Sequence, residues 1–132
     1  DWRAELRLLE YGQRLSRQQR NVLASPRQPY VADYLFGTCA RGGAQASGRA
    51  TGQLAPEHQA DLMVIDLAHP SLAGLDQSHW LSALVFSERA HTNPIRDVFV
   101  SGKACVIDGQ HPQEETAFAA YQDTLSQLLD RA

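Results

Sequence analysis

Residues 52–66 constrain the fold of this chain more than any other part of the sequence. Gly52 and Pro56 mark a polar turn, and an unbroken apolar run follows at residues 62–65. A run this short that contains Val and Ile is typical of a strand covered on both faces. At the start of the run, Ala60-Asp61 combines a small residue, which lets another backbone come close, with a carboxylate that can accept backbone N–H bonds.

Length and charge limit the classes of protein that fit. A chain of 132 residues, 43% of them hydrophobic, predicts one modest domain with a real core. The net charge of −3 does not suggest a nucleic-acid partner, although residues 1–27 carry six arginines against three acidic residues. No apolar run approaches the ~18 residues of a membrane span, and no signal peptide is visible. Cys39 and Cys105 lack CxxC spacing, which predicts reduced, buried thiols and a cytoplasmic location.

Helical periodicity dominates the first third of the chain. Residues 3–23 predict a helix with an apolar stripe, and Ser25-Pro26 ends it because the residue before Pro avoids the helical region. A second helix is expected with Pro29 in its first turn and its end at Gly42-Gly43, followed by a further short turn at 44–48. The stripe of the first helix consists of Leu8, Tyr11, Leu15 and Val22.

The remainder alternates between strands and loops. Residues 67–74 predict a loop, the apolar run 83–86 a second strand, and residues 87–93 a loop or sheet edge. Residues 95–109 predict a hairpin that turns at Ser101-Gly102 and packs beside strand 61–67. The final helix begins near Pro112, and its apolar stripe is Phe118, Tyr121, Leu125 and Leu128.

No residue pattern predicts an active site. The histidines show neither HxH, HExxH nor Cys/His spacing, and the serines lack a G-x-S-x-G frame. Both cysteines are expected in the core. Carboxylates at strand ends are expected to accept hydrogen bonds from turn N–H groups, and acid/base catalysis is the alternative role. We therefore predict no catalytic, cofactor-binding or metal-ligating residue in this chain. The histidines are His58, His69, His79, His91 and His111, and the strand-end carboxylates are Asp61, Asp66, Asp97 and Asp108.

Two motifs, in this order, resemble the amidohydrolase superfamily. Gly-x-Leu followed by Ala-Asp-Leu-x-Val-x-Asp at 52–66 is similar to the start of a strand in the small β-domain of that superfamily, although Glu57 stands where a second Gly is usual. Residues 97–109 look like its closing hairpin. Local matches at 8–15, 20–23, 42–46, 66–70 and 108–112 resemble formimidoylglutamate deiminases in particular.

The resemblance implies an α+β chain that is part of a larger enzyme. Residues 1–50 would belong to the end of a (β/α)8 barrel, 51–110 to strands of a small β-sandwich built from both chain ends, and 111–132 to a C-terminal helix. Such enzymes use a zinc ion to activate a water that converts N-formimino-L-glutamate to N-formyl-L-glutamate and ammonia, in histidine degradation. The zinc ligands would lie upstream of residue 1. Asp1 is not expected to be one, because Asp1-Trp2-Arg3 does not match that strand end.

The same resemblance sets the expected partners and the alternatives. The chain lacks an initiator Met and opens in helical sequence, so a non-catalytic C-terminal fragment is expected. Its partners would be the remainder of the same enzyme and, for the parent, a small-molecule substrate and a homo-oligomer, with no nucleic acid and no membrane. Two alternatives stay open: another amidohydrolase, such as a guanine deaminase-like or chlorohydrolase-like enzyme, and a free-standing structural or interaction domain.

Overall fold

A computed structural model describes residues 1–87 and 93–131. These ranges contain four helices and one three-stranded antiparallel sheet, so the α+β class is confirmed. No helix among the described residues is long and apolar enough to cross a membrane. In chain order the elements are α1 Trp2–Arg17, α2 Val31–Ser47, β1 Leu62–Ile65, α3 Gln77–Phe86, β2 Ile95–Val100, β3 Lys103–Val106 and α4 Glu114–Leu129.

Helices α1, α2 and α3 pack together around the main core. Leu6 of α1, Leu35 of α2 and Val85 of α3 are buried there. The rings of Trp2 and Phe36 extend the core, with their centroids 5.5 Å apart. The core therefore joins α1 and α2, which precede β1 in the chain, to α3, which follows it.

Helix α1 is shorter than predicted and turns a different face inward. Gln18 adopts a left-handed conformation with φ 52° and ends the helix, so the predicted continuation to residue 23 is wrong. The buried residues of α1 are Leu6 and Glu10. Leu8 and Leu15 of the predicted stripe are 68% and 81% exposed, so that face of the helix is open in the described structure.

Helix α2 does not end at Gly42-Gly43, as the sequence predicted. It continues to Ser47 and ends at Gly48, which adopts φ 66° and so supplies the left-handed stop. A glycine inside a helix costs only about 1 kcal/mol relative to alanine, which the packed first half of α2 can offset. At the other end, α2 begins at Val31, so Pro29 precedes the helix instead of occupying its first turn.

The strand predicted for residues 83–86 is wrong, because they form the second half of α3. The Asp76 carboxylate caps this helix by accepting a hydrogen bond from the Ser78 backbone N–H at 3.0 Å. Leu81, Leu84 and Val85 then recur at helical spacing, and the last two are buried. Periodicity cannot separate a short buried helix from a buried strand when the apolar run is this brief.

The sheet has the predicted hairpin, with β2 in the centre between β1 and β3. Met63 is paired with Val98, and Val98 is paired with Val106 on its other side. Ser101 and Gly102 have φ values of 50° and 76°, which matches the type I′ turn favoured by two-residue hairpins. The packing of this hairpin beside residues 61–67 is confirmed by the β1–β2 pairing.

Helix α4 begins at Glu114 and carries Glu114 and Glu115 in its first turn. It packs against none of the other described helices and strands. All of its residues are exposed, including the predicted apolar stripe. The loop expected at 67–74 is observed, whereas most of the loop or edge expected at 87–93 lies outside the described residues.

Candidate functional site

The Asp61 carboxylate lies where the turn of the β2–β3 hairpin meets the start of β1. Its Oδ1 accepts a hydrogen bond from the Ser101 backbone N–H at 2.7 Å, and its Oδ2 accepts one from Thr51 Oγ1 at 2.9 Å. The Ala60 carbonyl accepts a further bond from the Gly102 N–H at 2.9 Å. The Ser101 N–H first, and then the Thr51 hydroxyl, lower the pKa of Asp61. Both oxygens of the Asp61 carboxylate are therefore hydrogen-bonded, and they hold the hairpin turn against the start of β1. We call this contact the Asp61 clamp.

The Asp97 carboxylate has a similar role at the other end of the hairpin. It is buried, its Oδ1 accepts a hydrogen bond from the Asp108 backbone N–H at 3.0 Å, and its Oδ2 lies 2.9 Å from Arg96 Nε. The Asp108 N–H first, and then the Arg96 guanidinium, lower the pKa of Asp97. Asp66 Oδ1 likewise accepts a bond from the Ala68 N–H at 2.9 Å. The carboxylates of Asp61, Asp66 and Asp97 thus bind turn N–H groups, as predicted. Asp108, the fourth strand-end residue, instead donates its backbone N–H to Asp97.

The described histidines are spread over separate loops and one helix. His58 Nε2 lies 2.7 Å from Gln53 Nε2, and His69 is buried with its Nδ1 2.8 Å from Ser71 Oγ. The His79 ring meets Tyr30 edge-on, and His111 Nδ1 accepts a hydrogen bond from the Gln113 N–H. His91 lies outside the described residues. Within residues 1–87 and 93–131, no group of three or more His, Cys, Asp or Glu side chains could hold a metal ion.

The two cysteines are free thiols, but neither is buried. Cys39 is exposed on α2 and Cys105 is half-buried on β3, so the prediction of core cysteines is wrong. Cys39 lies one turn after Leu35 and shares its face, but all buried residues of α2 (Val31, Ala32 and Leu35) are in the first five residues of the helix, so the core ends before Cys39.

Glu10 is the polar residue that the sequence reasoning missed. Its side chain is fully buried on α1, and its Oε1 accepts hydrogen bonds from Arg14 Nε at 2.7 Å and from the Val22 N–H at 3.1 Å. Its Oε2 has no hydrogen-bond partner among the described residues. The Arg14 guanidinium in turn lies over the rings of Tyr11 and Phe86. The i,i+4 spacing of Glu10 and Arg14 was the signal available in the sequence.

This pair of a buried carboxylate and a partly exposed guanidinium is suited to holding structure together. The carboxylate ties the turn after α1 back onto the helix, because it binds the backbone of Val22. Two clefts of the described structure are lined by other residues and do not reach it. One cleft, of about 940 Å³, lies between the Asp108-Gly109 turn and the start of α4, and another, of about 370 Å³, lies beside Arg41, Arg49 and His58. Both are open to solvent, and the described residues that line them do not align a nucleophile with a base.

Exposed apolar surface is the feature of this chain that most needs an explanation. One patch is the outer face of α1, and another is the stripe of α4. The outer edges of β1 and β3 are unpaired among the described strands. Apolar patches and free strand edges of this kind mark surfaces that contact partners.

Comparisons with known proteins show what this chain is similar to. No family model matches the chain. The chain is 40% identical over 126 residues to formimidoylglutamate deiminase of Pseudomonas aeruginosa, covering 96% of this chain and 27% of that protein. Its fold is similar to the crystal structure of an amidohydrolase from Brucella melitensis, with a TM-score of 0.80, 33% identity, and coverage of 96% of this chain and 27% of that one. The resemblance inferred from the sequence motifs is confirmed, and the chain spans about a quarter of the length of each protein.

Proposed function

We propose that this chain is the C-terminal part of an amidohydrolase that hydrolyses the C–N bond of N-formimino-L-glutamate, giving N-formyl-L-glutamate and ammonia in histidine degradation. The observation that carries the proposal is the 40% identity to a formimidoylglutamate deiminase along 96% of the chain. The fold similarity to an amidohydrolase at 33% identity supports the hydrolase class independently of the motifs. We place the parent enzyme in the cytoplasm.

The proposed architecture divides the chain into three parts. Residues 1–50 form the end of a (β/α)8 barrel, 51–110 the strands of a small composite β-sandwich, and 111–132 a C-terminal helix. The open faces of Leu8 and Leu15 support the first part, because a barrel would cover them. The free edges of β1 and β3 support the second, because further strands of the same enzyme could pair with them. Helix α3 joins the helical layer despite its later position, since it packs on α1 and α2.

The resemblance implies zinc, and the residues described in this chain do not fit a zinc ion. They contain no cluster of three potential ligands. Asp1 is engaged elsewhere, because its Oδ1 accepts hydrogen bonds from the Arg3 N–H and from Arg3 Nε, both at 3.0 Å, and caps α1. We therefore propose that the metal ligands and catalytic groups belong to the parent enzyme outside this chain, and that the isolated chain is non-catalytic.

The experiment compares the product of the complete gene with the isolated 132-residue chain. Both are assayed for ammonia release from formiminoglutamate and guanine and for chloride release from a chlorinated triazine, and bound zinc is measured. We expect the product of the complete gene to bind zinc and to turn over formiminoglutamate, and the isolated chain to do neither. Turnover of guanine or the triazine instead would establish one of the other amidohydrolase activities. Stoichiometric zinc and turnover in the isolated chain would refute the non-catalytic role.

A further inference from the structure

We draw no further inference here: the strongest candidate, the exposed apolar stripe along α4 between Phe118 and Leu128, carries nothing further because nothing in the described part of the structure shows what covers it.

Discussion

The Asp61 carboxylate and the Ser101 backbone N–H are 40 residues apart in sequence and form a 2.7 Å hydrogen bond. This bond joins the start of β1 to the tip of the β2–β3 hairpin. The adjacent bond from the Gly102 N–H to the Ala60 carbonyl doubles the link, and the small Ala60 side chain lies 3.9 Å from the position of a Cβ on Gly102. The two motifs that carried the family resemblance are therefore in direct contact.

Replacing Asp61 tests this clamp. Asp61→Ala removes the acceptor for both Ser101 and Thr51, so we expect a lower midpoint of thermal unfolding and faster hydrogen exchange at the Ser101 amide. Asp123→Ala on the outer face of α4 is the control, since the Asp123 carboxylate has no hydrogen bond within the described structure. Unchanged exchange at Ser101 in Asp61→Ala would show that the contact does not hold the hairpin.

The lowered pKa values predict how stability depends on acid. Asp61 and Asp97 both titrate below the ordinary value of about 3.8 in the folded chain, each mainly because a backbone N–H donates to the charged carboxylate. Their stabilisation is present above the unfolded-state pKa and is lost as the pH falls from there through the folded value. Asp97→Asn should thus be less stable than the parent at pH 7, and the difference should shrink below pH ~4. Urea unfolding at a series of pH values measures it, and a constant difference would contradict the argument.

The hairpin could be predicted from sequence because its determinants are local. Ser101-Gly102 supplies a turn whose two central residues have positive φ, and alternation along β2 then sets the faces. Helix α3 could not be predicted, because the decisive feature is its burial against α1 and α2, which the sequence does not display. The same limit applies to α1, where Leu8 and Leu15 looked like the core but Leu6 and the ion-paired Glu10 occupy it. A buried carboxylate is stable only with its partners, and the partners of Glu10 include a backbone N–H that only the tertiary fold brings near.

Glu57 stands where the related motif has glycine, and its backbone adopts φ 65°. A residue with a Cβ is strained in this region by roughly 1 kcal/mol or more. We expect Glu57→Gly to stabilise the chain by about 0.5–1 kcal/mol, after the extra entropy of glycine in the unfolded chain is subtracted. Glu57→Ala is the matched control, because it removes the side chain and keeps the strain. Equal stabilities of the two variants in urea unfolding would rule out backbone strain at this turn.

Glu10→Ala should be among the more damaging substitutions on α1. It leaves the Arg14 guanidinium and the Val22 N–H without their acceptor, and removing one partner of a buried ion pair costs roughly 3–5 kcal/mol. Because Arg14 remains partly exposed, we expect about 3 kcal/mol, at the lower end of that range. Glu10→Gln should cost less, since it can retain the Oε1 acceptor. The exposed Glu5→Ala is the control on the same helix, with an expected cost below about 1 kcal/mol. A Glu10→Ala chain as stable as Glu5→Ala would contradict the structural role.

Gly52 is required for two separate reasons, and a matched pair of substitutions can distinguish them. Its φ is 81°, and a Cβ there would lie 2.5 Å from the Ala40 carbonyl oxygen, where backbone leaves no room. Gly74 has a similar φ of 78°, but a Cβ on it would meet no atom within 4 Å. Gly74→Ala should therefore carry only the conformational cost of about 1–2 kcal/mol. Gly52→Ala adds the displacement of α2 from the turn, worth about 1–3 kcal/mol more. Equal losses in urea unfolding would mean that residues 52–61 do not rest against α2, and a larger loss at Gly52 would establish the close approach that couples the helical layer to the sheet.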